Sequence, residues 1–474
     1  MRFAELEHAD VAVWGYGREG RAALAALRRR FPGKPLTLYC SAAEVATLCD
    51  PFKPSRSRGG QGGGGVSSSA LVIRTESPDT KALSSHDIVV KSPGISAYKP
   101  EILAARGRGT RFTSGTALWF GENVPGQGSA ARVVAVTGTK GKSTTTALIA
   151  HLARALGVRT ALAGNIGLPL LELDGQHADL WTIELSSFQT GEAGPVELGV
   201  IVSLAEEHLD WHGTRERYVA DKLKLADVSR TLLADAESRL LMQRTATHPR
   251  RATFGDAHGW HVANGAILHG TERVLDLAAL PLHGAHNAHN VCAALAAIEL
   301  LGFDAREGAA SLHGFKPLPH RLTRLGVRDG VEWIDDSIST TPDAALAALE
   351  SLRGRVVTLI LGGHDRGLDW DGFARSLGAA RFPQAVIAQG AAGPRIARTL
   401  RDARVECAVE ETADLATSVV RARVLTPQNG IVLLSPGAPS FDQFTDYAER
   451  GRVFAGLAGF DGDAIGEITG LGIA

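Results

Sequence analysis

The chain is poor in the residues that mark a metal centre, a disulfide scaffold or a membrane anchor. Its four cysteines, Cys40, Cys49, Cys292 and Cys407, are scattered through 474 residues without a C-x-x-C pair. That argues against a zinc site and suits a reducing cytoplasm. No charge of one sign dominates: 50 Lys and Arg face 51 Asp and Glu, for a net charge of −1. No global field therefore favours nucleic acid or an anionic membrane. No apolar run reaches membrane-spanning length. The first residues, MRFAELEHAD, carry acids and lack the apolar core of a secretory signal. The rest is ordinary for a globular enzyme, 44% apolar and 21% charged. The length exceeds what one core can serve, so two or three domains are expected.

Residues 54–69, PSRSRGGQGGGGVSSS, read as a flexible surface loop inside the first domain. Strand-like runs alternate with helix-like runs on either side of it, the pattern of an α/β sheet. GENVPGQGSA at 121–130 precedes a strong new strand, RVVAVTG, and places a domain start near Thr116. A second shift falls near KPLPHRL at 316–322. Beyond it, VVTLILGG, QAVIAQG and NGIVLLSPG are apolar runs ending in glycine, a third α/β unit. The expected domains are 1–115, 116–319 and 320–474: Rossmann-like, a central P-loop ATPase-type parallel sheet, and again Rossmann-like.

Near the N-terminus, VWGYGREGRAALAALRRR contains Gly15-x-Gly17-x-x-Gly20 between a strand and a helix. On its face this is a dinucleotide fingerprint, but a lone G-x-G-x-x-G is a weak signal. The ribose-binding acid expected about twenty residues on is missing. The corresponding strand ends in Tyr39, Cys40 and Ser41.

The strongest local signal is VVAVTGTKGKSTTTALIAHLARALG. An apolar strand runs into Gly138-Thr139-Lys140-Gly141-Lys142-Ser143-Thr144, and a helix follows. The glycines let backbone N–H groups turn onto phosphate oxygens. Lys142 can neutralise β/γ-phosphate charge, and Ser143 or Thr144 can hold Mg²⁺ at the helix start. The strict Walker spacing is absent, because Val136 stands where its first glycine would be.

Other charged groups must decide what the nucleotide is used for. ADLWTIELSSFQT ends a buried-looking strand in Glu184, placed to bind Mg²⁺ directly or through water. Ser186 and Gln189 follow. Another apolar strand, GVIVSLA, leads to His208, Asp210 and His212 and then to a helix with Lys222 and Lys224. As the next strand of one nucleotide-binding sheet, its C-terminal loop faces the same crevice. Asn165 sits in the loop GNIG. Asn287 and Asn290 begin an Ala/Leu helix, where they act as caps or read an adenine edge.

Together GTKGKSTTT, GNIG, ELSSFQ, EEHLDWHG…YVADK, GAHNAHN, LPHRL, DDSISTTP, LGGHDRGLD and LLSPGAPSFDQFTDYAERG resemble the Mur ligase family. These are ATP-dependent amino-acid-adding enzymes of peptidoglycan precursor synthesis. SPGIS at 92–96 extends the resemblance into the first domain, and ELSSFQ with SPGAPSFDQF points to the glutamate-adding branch. The resemblance implies a monomer that takes UDP-N-acetylmuramoyl-L-alanine, glutamate and ATP. It also implies that the first glycine loop, Gly15, Gly17 and Gly20, meets a UDP-sugar diphosphate instead of NAD.

Residue roles follow from the same resemblance. Lys142 would contact the γ-phosphate, within a nucleotide loop of Gly138, Thr139, Lys140, Gly141, Ser143 and Thr144. Ser143 or Thr144 and Glu184 would hold one Mg²⁺, and His208 a second. Lys222 matches the family's carbamylated lysine, with Lys224 as the fallback. Asn287 and Asn290 would meet adenine, while Arg321 and Asp336 reach the nucleotide from the third domain. Ser92, Pro93, Gly94, Asn165, Ser186 and Gln189 would line the UDP-muramoyl groove. Thr340, Arg366, Ser440, Phe441 and Tyr447 would surround glutamate.

The chain departs from the branch pattern at Glu19, where a small Ser or Thr is usual. It departs again at Ile338 and Arg366, where lysines are usual, and at Thr341, where Asn is usual. Arginine binds carboxylate bidentately and lysine does not, so the glutamate clamp is rebuilt. WGYGREG with DDSIST resembles the variant group that adds L-glutamate; the D enantiomer is the alternative. More distant alternatives are a folylpolyglutamate synthase-like ligase, which lacks a UDP-binding first domain, and a nucleotide-binding module without turnover.

Overall fold

The computed structural model describes residues 1–45, 71–123, 131–204, 212, 214–282, 284–365, 367–377 and 382–474. They form two compact units, Met1–Phe315 with Gly470–Ala474, and Lys316–Thr469. The last five residues thus belong to the first unit, not to the C-terminal one expected to run from 320 to 474.

The first unit holds two parallel sheets and a small antiparallel one. One sheet has five strands, β1 (Val11–Trp14), β2 (Leu36–Tyr39), β3 (Leu71–Arg74), β4 (Ile88–Lys91) and β5 (Arg111–Thr113), in the order 3-2-1-4-5. The order reverses between β1 and β4, so the loops that follow them, Gly15–Gly20 and Ser92–Gly94, share one edge. Gly20 is required there by close approach: a Cβ on it would lie 1.9 Å from the Gly15 carbonyl oxygen.

The second parallel sheet contains β6 (Arg132–Thr137), β7 (Thr160–Gly164), β8 (Leu180–Glu184), β9 (Val196–Ile201), β10 (Ser229–Asp235) and β11 (Arg251–Phe254). Its order is 11-10-9-6-8-7. β6 is central, with Val133 to Thr137 all buried. That is why it reads as a continuous apolar run instead of an alternating one. β12 (Trp260–Ala263), β13 (Ala266–His269) and β14 (Glu272–Asp276) form the antiparallel sheet.

The second unit carries β15 (Thr323–Arg328), β16 (Val331–Asp335), β17 (Val357–Gly362), β18 (Ala385–Gln389), β19 (Ala408–Thr412) and β20 (Ile431–Leu434), in the order 15-16-20-17-18-19. All pairings are parallel except that of β15 with β16. The chain then returns to the first unit, where β21 (Gly472–Ile473) pairs antiparallel with β7. Among the described residues, no helix is long and apolar enough to cross a membrane.

Candidate active site

Three adjacent strand ends build the centre of the first unit. β6 pairs with β8 on one side, Val136 opposite Glu184, and with β9 on the other, Thr137 opposite Ile201. The loop 138–141 leaves β6 between them and enters the helix Lys142–Ala155. Gly141 caps that helix with φ +81°, and a Cβ there would lie 2.3 Å from Asn290 Oδ1. Only glycine satisfies both constraints. The cap uses no side chain, so the first-turn N–H groups keep the electropositive helix end available to an anion. Lys140 N–H donates to Ser203 Oγ at 2.8 Å, which braces the loop against the chain leaving β9. Lys142 Nζ donates to the Thr139 carbonyl oxygen at 2.9 Å, over its own loop.

Glu184 is 1% exposed. Its Oε1 accepts from Asn165 Nδ2 at 2.8 Å, and its Oε2 is buried without a hydrogen-bond partner. A buried carboxylate oxygen left in that state is costly unless a ligand or cation completes it. Thr144 is buried in the first turn of the phosphate-loop helix. These are oxygen donors of the kind Mg²⁺ takes. Among the described residues, no three His, Cys, Asp or Glu side chains cluster for a metal.

The helix Arg215–Val228 packs against the loop. Tyr218 and Lys222 are four residues apart and so share a face. Tyr218 Oη lies 3.0 Å from Thr139 Oγ1, and Lys222 Nζ donates to the Gly138 carbonyl oxygen at 2.6 Å. Lys222 is buried with its ammonium over the Tyr218 ring. Lys224 is turned away, bonded to the Asp221 carboxylate. That separates the two lysines. His208, with Asp210, lies outside the described residues, as does Arg366.

A polar hub that sequence reasoning missed lies beside Lys222. The buried Asp221 carboxylate accepts from Tyr98 Oη at 2.9 Å and pairs with His212 Nδ1 at 2.7 Å. His212 Nε2 is 3.0 Å from Ser187 Oγ. Thr190 Oγ1 donates to the Asp221 carbonyl oxygen at 2.7 Å. The hydrogen bonds from His212, Lys224 and Tyr98 hold the Asp221 carboxyl below its usual range against the opposing effect of burial, and burial followed by the Asp221 bond pushes the Tyr98 phenol up to about 12. Sequence reasoning singles out only His212 among its members; Tyr98 is 123 residues from Asp221.

Asn287 and Asn290, both buried, bond to each other at 3.3 Å at the start of helix Ala285–Leu300, where Asn290 abuts Gly141. Ser92 Oγ donates to the Gly15 carbonyl oxygen at 3.3 Å. Pro93 and Gly94 follow on the same loop. Ser186 Oγ donates to Gln189 Oε1 at 2.8 Å, and Gln189 Nε2 donates to Thr116 Oγ1 at 3.0 Å and Glu19 Oε1 at 3.4 Å. Glu19 therefore faces Gln189. Burial, with Glu192 and Glu172 nearby, pushes its carboxyl up to about 7.

In the second unit, Arg321 lies between two residues with left-handed backbone, His320 (φ +60°) and Leu322 (φ +48°). His320 Nδ1 is 2.6 Å from Asp335 Oδ2, and the Leu322 N–H donates to Asp336 Oδ1 at 3.1 Å. Asp336 also accepts from Ser339 and Ser435, yet burial pushes its carboxyl up to about 6. Thr340 and Tyr447 are half-buried and Ser440 is buried, whereas Phe441 is 68% exposed.

This arrangement defines a nucleotide-using α/β enzyme: a phosphate loop flanked by a metal-competent carboxylate and a buried lysine. Residues 136–298 match the Mur ligase middle domain, and residues 320–437 match the Mur ligase glutamate ligase domain. The chain is 46% identical, over the whole of both chains, to a UDP-N-acetylmuramoyl-L-alanine--L-glutamate ligase of Xanthomonas axonopodis pv. citri. A relative of the same name from Micromonospora is 37% identical over 96% of this chain and 97% of its own. Among solved structures, the MurC ligase of Thermotoga maritima superposes with a TM-score of 0.60 at 18% identity, covering 95% of this chain and 99% of that one. The chain belongs to the Mur ligase family. It is an ATP-dependent, amide-bond-forming ligase with the three-domain fold class of that family.

Proposed function

We propose that this chain joins L-glutamate to UDP-N-acetylmuramoyl-L-alanine with cleavage of ATP, in cytoplasmic assembly of peptidoglycan precursors. The ligase chemistry rests on one observation: Glu184 ends the strand paired with β6 and Lys222 donates to the Gly138 carbonyl oxygen, so both adjoin the Gly138–Lys142 loop. The whole-length similarity to L-glutamate-adding relatives, and the departures at Ile338 and Arg366, support the amino acid and its hand.

In this reading residues 1–115 take the UDP-muramoyl substrate, with Gly15, Gly17, Gly20, Ser92, Pro93, Gly94, Asn165, Ser186 and Gln189. Residues 116–319 take ATP, and residues 320–469 take glutamate through Thr340, Arg366, Ser440, Phe441 and Tyr447. The alanine carboxylate of the muramoyl substrate attacks the γ-phosphorus, and ADP leaves with the bridging electron pair. The glutamate amine then attacks the acyl carbon and loses a proton, and inorganic phosphate leaves. The loop N–H groups and Lys142, redirected from the Thr139 carbonyl, hold the charge that builds on the transferring phosphoryl group. Asn287 and Asn290 are assigned to adenine, and Arg321 and Asp336 to the nucleotide.

Mg²⁺ fits the residues present, since Glu184 Oε2 is buried and unsatisfied and Thr144 sits in the adjoining helix turn. It would be held by Ser143 or Thr144 and Glu184, with His208 and the Lys222 carbamate serving a second ion. When bound it neutralises phosphate charge. The test is Lys142→Ala, assayed for phosphate release dependent on both muramoyl substrate and amino acid. The reading predicts no turnover in a folded protein. Near-normal turnover contradicts it, and wild-type release that ignores both substrates favours a nucleotide module.

A further inference from the structure

Arg450 is 1% exposed, on the first turns of helix Tyr447–Ala458. A guanidinium is seldom buried without a carboxylate on it, yet every acceptor here is neutral. Nε donates to Ser337 Oγ at 2.9 Å, Nη2 to the Ser337 carbonyl oxygen at 2.8 Å, and Nη1 to the Ala438 carbonyl oxygen at 3.0 Å. Burial pushes its pKa down to about 10, with Asp442 and Asp335 opposing that shift from further away.

The acceptors belong to the loops that leave adjacent strands. Ser337 follows β16 and Ala438 follows β20. The loop after β17 also closes on the group, since a Cβ on Gly363 would stand 3.0 Å from Nη1. Backbone bonds complete the knot: Gly437 N–H to the Ser339 carbonyl oxygen at 3.0 Å, and His364 N–H to that of Pro439 at 2.8 Å. Ser337 Oγ passes the contact on by donating to the Tyr447 carbonyl oxygen at 2.8 Å. Arg450 thus bonds to the two loops that lead on to Thr340 and to Ser440, and its own helix begins at Tyr447.

We propose that Arg450 is a positioning residue for the amino-acid site, fixing the loops after β16, β17 and β20 so that Thr340 and Ser440 stand at one spacing to receive glutamate. This rests on the glutamate reading above. The guanidinium suits the task because its planar fork reaches two loops with fixed angles, whereas a lysine ammonium is a single point. Nucleotide contacts depend on it less. Asp336 has its own donors in Ser339, Ser435 and the Leu322 N–H.

The test is steady-state kinetics of full-length Arg450→Lys and Ser337→Ala, with each substrate varied in turn and melting temperature recorded. Arg450→Lys is expected to raise KM for glutamate about tenfold, the effect of losing one buried charge-assisted bond. KM for ATP and for UDP-muramoyl-L-alanine should stay within about twofold. Ser337→Ala, which loses the Nε acceptor, should raise the same KM about threefold. If Arg450→Lys does not fold, Ser337→Ala decides alone. Equal rises in all three KM values, or an unchanged glutamate KM in the folded variants, overturns the proposal. Wild-type turnover with neither glutamate enantiomer overturns instead the reading on which it rests.

Discussion

The ε-nitrogen of Lys222 lies 2.6 Å from the carbonyl oxygen of Gly138, the first residue of the phosphate loop. As an ammonium, Lys222 can only donate, and it does so to the loop. As a carbamate it would keep one N–H on Nζ, still able to donate to that carbonyl, and would gain a carboxylate able to accept a cation. The buried amine is thus placed where a change of its charge changes what the loop faces.

Lys222→Ala is therefore expected to fold and to lose at least about a hundredfold in kcat, the scale of removing one preorganised charged group. Short carboxylic acids such as formate should restore part of the rate by supplying the missing carboxylate. An active Lys222→Ala with an inactive Lys224→Ala would move the role to Lys224.

Gly141→Ala tests the loop geometry. The added Cβ would meet Asn290 Oδ1 and force a left-handed backbone on alanine, a strain of about 1–3 kcal/mol. ATP affinity, measured by calorimetry, should fall about tenfold or more, with UDP-muramoyl-L-alanine affinity little changed. Asn290→Ala in the same background should relieve part of the loss. Unchanged ATP affinity would show that the loop does not carry the nucleotide.

Glu19 gives a stability signature. Its carboxyl is raised to about 7 in the folded chain, chiefly by burial, against an unfolded value near 4.3. The folded state then holds the proton more tightly, so stability falls as pH rises between these values, and the full penalty is present above the folded pKa. Glu19→Gln should raise the melting temperature at pH 8, by a free energy on the order of 1–3 kcal/mol. At pH 4 the two proteins should melt alike. A gain independent of pH would contradict the burial argument.

The sequence made the phosphate loop legible because strand, glycines and helix follow one another locally. β6 is apolar from Val133 to Val136 because both its faces are buried there. Glu184 was legible as the acid ending a strand of the same sheet. The Tyr98–Asp221–His212–Ser187 hub was not, because its members come from distant segments and each, taken alone, is an ordinary polar residue. Arg450 stood only within the family motif ending YAERG; the packing of three loops shows that it is buried. β21 is two residues long, too short for any period, so its return to the first unit left no trace in the pattern. Glu19 was recognisable as a departure from the family, but its partner Gln189 was not.

The central claim is tested most directly by ADP release from the wild-type enzyme supplied with ATP, Mg²⁺ and UDP-N-acetylmuramoyl-L-alanine, and with L- or D-glutamate at equal concentration. The account predicts rapid release with L-glutamate and little with D-glutamate, because the clamp carries Ile338 and Arg366 in place of two lysines. A clear preference for D-glutamate would contradict the stereochemical assignment, and release with neither enantiomer would contradict the substrate itself.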